Sequence, residues 1–167
     1  MLAEQKEDEN IAFRMFLKNS DLSVEEMDEQ VFELTKRVWA QIDCTTCANC
    51  CKESSPPLSE EDVERLAKRL GIERQVFIDT YLEKAERGDD DPWTMRALPC
   101  PFLQDNRCSV YEDRPAACKD YPYLYKPQFV FRTMGMVGRT TTCPIVFEVL
   151  EALKPRLGFR YRARRKR

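Results

Sequence analysis

Apolar positions recur at three- and four-residue steps in "SVEEMDEQVFELTKRVWAQI", where Val24, Met27, Val31, Leu34, Val38 and Ile42 make one stripe. Ser23, followed three positions later by Glu26, has the form of a capping box, so a helix is predicted to start at that serine. The stretch from Ile11 to Leu17 is helix-compatible with a less regular pattern, which predicts two helices in the first 43 residues. Further on, "SSPPLSEEDVERLAKRLGIERQVFIDTYLEKA" predicts a helical hairpin. Ser59 is its N-cap, Leu58 and Val63 are placed as a hydrophobic staple, and Val63, Leu66, Ala67 and Leu70 form the inward face. Gly71 stands where a helix C-terminus favours glycine, and a second helix carries Val76, Phe77, Tyr81 and Leu82.

The pattern shortens from Trp93. In "WTMRALPCPFLQDNRCSVY" two short apolar stretches flank the turn-forming "QDNR", which predicts a small hairpin. Pro115 in "DRPAACKDYPYLY" is a favourable opener for a short helix bearing Cys118. "FVFRTMGMVG" reads as a strand interrupted by glycines. "CPIVFEVLEALK" is a closing amphipathic helix with Ile145, Val146, Val149, Leu150 and Leu153 on one face. "RGDDDP" is predicted to be an exposed, solvated loop rather than a calcium site, since the rest of a calcium-loop pattern is missing. These elements add up to a mainly α protein with a small irregular β hairpin, expected as a metal-stapled single domain.

Composition changes this picture little: 43% hydrophobic and 34% charged residues suit a globular chain. Charge is uneven. Lys154, Arg156, Arg160, Arg162, Arg164, Arg165, Lys166 and Arg167 close the chain with no acidic residue among them. Subtracting those eight from the 27 basic residues leaves 19 against 29 acidic ones, a formal charge of −10 for the remainder. An acidic body repels phosphates, so nucleic acid is not an expected partner except through the tail. The tail is expected as a solvated terminus with anionic membrane as its other potential contact. No stretch approaches the roughly 18 apolar residues of a membrane span. The acidic start "MLAEQKEDENIAF" lacks a secretory pattern, and the reducing cytoplasm is the expected compartment. The expected organisation is an N-terminal helical segment (1–43) packing on the core, a cysteine-cluster domain (44–153) and a basic tail (154–167).

The chemistry lies in the cysteines: Cys44, Cys47, Cys50 and Cys51 in "CTTCANCCK", then Cys100, Cys108, Cys118 and Cys143. In a reducing compartment such a set points to metal rather than to disulfides. Two-residue spacing lets consecutive thiolates converge through a tight turn, as in zinc knuckles and iron–sulfur loops. The three-cysteine run and the pairs Cys100-Pro101 and Cys143-Pro144 favour iron–sulfur over zinc. Adjacent side chains diverge, so Cys50 and Cys51 are expected to serve two centres, or one centre and a redox thiol. Eight thiolates divide evenly into two four-cysteine sites. A vicinal disulfide at Cys50–Cys51 and four structural disulfides are the competing readings. The chain has no histidine, which excludes a cysteine–histidine nucleophile, histidine-ligated haem and the two-histidine zinc finger.

The order of "CTTCANCCK", "CPFLQDNRCSVYEDRPAACKDYP" and a final "CP" ahead of the last helix resembles the YkgJ-like C-x-x-C-x-x-C-C domain family. The resemblance spans about residues 44–150 and implies zinc or iron chelation by all eight cysteines. Some relatives are flagellin lysine N-methylases, which implies an enzyme of that kind as an alternative function. The chain has only five glycines and no glycine-rich nucleotide loop of the Rossmann type. A zinc-stabilised module for an unknown protein partner is the other alternative. Within the matched segment Arg114 is a candidate hydrogen-bond donor to ligand sulfurs or a member of an ordinary salt bridge. Tyr111, Tyr121, Tyr123 and Tyr125 are candidates to shield the site or simply to pack.

Overall fold

The structure is a computed structural model that describes residues 2–85 and 92–162. The "RGDDDP" loop and the end of the basic tail fall wholly or largely outside these residues. In chain order the elements begin with α1 (Leu2–Gln5), α2 (Glu7–Lys18), α3 (Val24–Trp39), α4 (Cys44–Cys47) and α5 (Asn49–Glu53). Next come β1 (Pro57–Leu58), α6 (Glu60–Leu70), α7 (Arg74–Tyr81), β2 (Leu82–Lys84) and β3 (Trp93–Met95). After β4 (Leu103–Gln104), β5 (Arg107–Cys108) and a 3-10 turn (Tyr111–Asp113), the chain closes with α8 (Ala116–Asp120), α9 (Phe129–Arg139) and α10 (Pro144–Arg156). The fold is mainly α with small antiparallel strands, as the residue pattern predicts. It divides into two compact units, Met1–Asp43 with Pro122–Arg167, and Cys44–Tyr121.

The first unit is a helical bundle. α10 packs on α3, and α9 packs on both α2 and α3. The predicted stripe of α3 supplies buried Met27, Val31, Leu34 and Val38, while α10 supplies Ile145, Val146, Val149, Leu150 and Leu153. The capping box is formed: Glu26 N donates to Ser23 Oγ at 3.2 Å, and Ser23 N donates to the Glu26 carboxylate at 2.8 Å. Lys154 is not a tail residue. It lies buried on α10, where its ammonium donates to Glu9 at 2.9 Å and also pairs with Glu151. Arg156, the next basic residue, pairs with Glu33.

One expected element is corrected. "FVFRTMGMVG" is not a strand but the body of α9, with Phe129, Thr133, Met136 and Val137 turned inward at helical spacing. Its aromatic and β-branched residues suggested extended chain, but burial along a 3.6-residue period outweighed propensity. The start of α9 is fixed from afar. Gln128 N and Phe129 N donate to the two oxygens of the buried Asp28 carboxylate, at 2.6 and 2.8 Å.

The second unit has its own core of Leu58, Val63, Leu66, Ala67, Phe77, Ile78, Leu82, Met95, Phe102 and Val110. α6 and α7 form the predicted helical hairpin, with a capping box between Ser59 and Asp62 and Gly71 left-handed (φ 68°) at the end of α6. Leu82 leaves the second helix and opens β2 instead, and Val76 is exposed. The strands β1, β3 and β2 make one antiparallel sheet, pairing Leu58 with Trp93 and Leu82 with Met95. β4 and β5 form the small hairpin around Asp105 and Asn106, whose φ values of 48° and 60° are those of a type I′ turn.

Candidate metal centre

Seven of the eight cysteines belong to the second unit. Cys143 belongs to the first, buried at the N-cap of α10 ahead of Pro144. No disulfide joins any of the eight, all of which lie among the described residues. The disulfide readings of the sequence are therefore not what the structure contains.

"CTTCANCCK" folds as two short helical turns joined by one left-handed residue. Cys44 and Cys47 begin and end α4, Ala48 takes φ 57°, and α5 then carries Cys50 and Cys51. An alanine in this region costs about 1–2 kcal/mol relative to ordinary helix geometry, so the reversal is held by its surroundings. Ala48 is itself buried, the one buried residue between Cys44 and Cys51.

The expected divergence of Cys50 and Cys51 is not observed. Their Sγ atoms are 4.0 Å apart. On a helix the Cβ atoms of neighbours point about 100° apart, but rotation about χ1 can bring both sulfurs back to the side between them. The two thiols lie within hydrogen-bond reach of each other. Hydrogen bonding to Cys51 raises the Cys50 thiol, with burial adding to the rise, while the same bond holds Cys51 below an ordinary thiol.

The remaining thiols approach from the hairpin and from α8. The Cys100 N–H donates to the Cys51 carbonyl at 2.7 Å, which ties the chain after β3 directly to α5. Cys108 lies on β5, opposite Leu103, and β5 packs against α4. Cys100 and Cys108 both rest partly buried against the apolar core. Cys118 sits in α8, which packs against β1. Burial pushes the Cys118 thiol up to about 12, and the charges of Cys100, Cys50 and Cys108 add to the rise. Burial likewise raises Cys100, with Cys108 and Cys50 contributing. Cys50, Cys51, Cys100, Cys108 and Cys118 thus form one electrostatically coupled set of sulfurs.

Arg114 lies beside Tyr111 at the end of the 3-10 turn. Its guanidinium stacks over the Tyr111 ring at 3.7 Å, donates to the Tyr111 carbonyl at 2.7 Å, and lowers the Cys118 thiol slightly against the larger effect of burial. Tyr111 is exposed. Tyr123 and Tyr125 belong to the first unit, where Tyr125 packs on Phe32 and Trp39.

Two residues around the site were not singled out by sequence pattern. The Asp62 carboxylate accepts the Ala116 N–H at the start of α8, at 3.2 and 3.3 Å. Arg65 donates to the carbonyls of Asp113 and Arg114, both at 3.1 Å, and pairs with Asp62. Asp62 lies three positions after the predicted N-cap Ser59 and closes a capping box with it. Nothing in the chain announces a partner 54 positions later.

Among the described residues, no three Cys, Asp or Glu side chains already stand close enough to hold an ion. The donor set nevertheless fits a soft cation. It consists of half-buried sulfurs whose mutual repulsion and loss of solvent would both be relieved by a positive charge among them. No curated protein and no solved structure matches the chain. The model of the CxxCxxCC family, described as "Putative zinc- or iron-chelating domain", matches residues 43–144, more than half of the chain.

Proposed function

This chain belongs to the CxxCxxCC family, a domain described for zinc or iron chelation, and from that premise we propose that it binds a metal ion through the thiolates of its second unit. The ion is zinc in a tetrahedral thiolate site, and its role is to fold and hold that unit. The observation that carries this reading is the 4.0 Å separation of the Cys50 and Cys51 sulfurs. Zinc–thiolate bonds of about 2.3 Å at tetrahedral angles place neighbouring sulfurs about 3.8 Å apart, so these two can share one ion with little movement. Cys100, Cys108 and Cys118 are the candidates to complete the shell, since they are the sulfurs coupled to that pair. In a four-iron cluster each iron takes a single cysteine, which sets the cysteine sulfurs further apart than this edge. The spacing of the pair therefore fits one tetrahedral ion better than a four-iron cluster, and zinc is the ion that closed thiolate sites of this kind hold.

The helices around the sulfurs support a stapling role. α4, α5 and α8 are four or five residues long and contribute no buried residue. Helices that short do not persist on propensity, and these have no apolar face to compensate. A structural thiolate site supplies its binding energy as folding energy. Cys44 and Cys47 flank the site on α4 and are expected to support it as further ligands or as a second pair.

Anaerobic purification followed by elemental analysis and a visible spectrum tests the proposal. The expected result is a colourless protein with at least one zinc per chain, and loss of that zinc in Cys50→Ser. Protein with neither zinc nor iron would overturn the metal reading. Brown protein with acid-labile sulfide would overturn the choice of zinc and restore the iron–sulfur centre.

A further inference from the structure

We infer that Asp62 and Arg65 of α6 are positioning residues for Cys118, holding the start of α8 so that this thiol reaches the Cys50–Cys51 pair as a metal ligand. The inference rests on the metal reading above and goes beyond it by assigning a role to two residues that are not ligands.

α8 begins without a cap of its own. Pro115 precedes it and offers no side-chain hydrogen bond to the first turn. The missing acceptor comes from α6, where both Asp62 oxygens lie within 3.3 Å of the Ala116 N–H, two residues before Cys118. Asp62 is only 2% exposed, so its carboxylate has few alternatives to these bonds. It also accepts the Ser59 N–H at 3.3 Å, which fixes it to the first turn of α6. Arg65, one turn further on, pairs with Asp62 and grips the preceding residues by bonding the Asp113 and Arg114 carbonyls. One ion pair thus binds three residues on either side of Pro115, namely Asp113, Arg114 and Ala116, through their backbone alone.

That choice of partners matters. A helix cap alone needs only the Ala116 bond, and a surface ion pair needs none of the carbonyls. Fixing successive backbone groups sets the position and direction of α8, and with them the Cα–Cβ vector of Cys118. α8 has no buried residue to do this by packing. Groups that orient a ligand without touching the metal commonly alter metal affinity 10–100-fold when changed.

Cobalt(II) titration of the full-length protein under anaerobic, metal-free conditions tests the inference, because the thiolate-to-cobalt charge-transfer band scales with the number of bound sulfurs. Asp62→Asn, Arg65→Met and Cys118→Ser are compared with the parent and with Arg74→Met. The last variant removes an exposed ion pair with Glu60 on the same helix hairpin. The expected result is a band lowered by about one part in four in Asp62→Asn and Arg65→Met, as one of four thiolates is lost, matching Cys118→Ser. Their cobalt affinity should fall about 10–100-fold. Arg74→Met should keep the parental band. Parental bands and affinities in both clamp variants would overturn the inference while leaving the metal reading intact. A parent with no thiolate–cobalt band would overturn the metal reading and this inference with it. Should Asp62→Asn not fold, the partly exposed Arg65→Met decides the question by the same readout.

Discussion

Ala48 shows how much one residue's backbone can determine in this protein. It is the left-handed joint between the turn that ends at Cys47 and the turn that carries Cys50 and Cys51. A β-branched side chain is strongly disfavoured at such φ, whereas glycine adopts it freely. Ala48→Val should therefore destabilise the protein by about 2 kcal/mol and reduce its bound metal. Ala48→Gly loses one buried methyl but relieves the strain, and should stay within about 1 kcal/mol of the parent. Denaturant unfolding with metal analysis checks both. If glycine proves as damaging as valine, packing of the methyl rather than the backbone angle governs the joint.

The same dependence on a distant group operates in α9, whose first amides are satisfied by Asp28 rather than by a neighbour in sequence. Asp28→Ala would leave buried donors unpaired, at a cost of about 1–3 kcal/mol. Hydrogen exchange at Gln128 and Phe129 should quicken ahead of the rest of the helix. Unchanged exchange there would mean that the carboxylate is incidental to the helix start. This bond also explains why the sequence of α9 reads as a strand. Its residues carry no local start signal, and the acceptor lies 100 positions away. Where the signal is local, sequence reading succeeds. Ser23 and Ser59 form the expected caps, Gly71 ends α6, and "QDNR" forms the hairpin turn. The site was legible in the same limited way. Residue type and spacing point to soft-metal chemistry, but the approach of Cys50 to Cys51 depends on rotamers, and the hold of Asp62 on Ala116 depends on tertiary placement.

At the scale of the whole molecule, two different sources of order stand out. The first unit joins residues from both ends of the chain around long helices, and α3 and α10 each bury a continuous apolar face. The second has an apolar core around α6, α7 and the strands, but its cysteine-bearing helices contribute nothing to it. Order from apolar packing persists when a ligand leaves, whereas order from ligation leaves with the ligand. Stripping metal with a chelator should therefore raise hydrogen exchange sharply at residues 44–53 and 116–120. Amides in the middle of α3 and α10 should keep their protection, and those of α6 should lose only part of theirs. Hydrogen-exchange mass spectrometry before and after chelation reads all of these segments at once. Uniform loss of protection across α3 and α10 would mean that the ion stabilises the chain as a whole, and unchanged exchange at 44–53 would mean that these short turns are held by something other than metal.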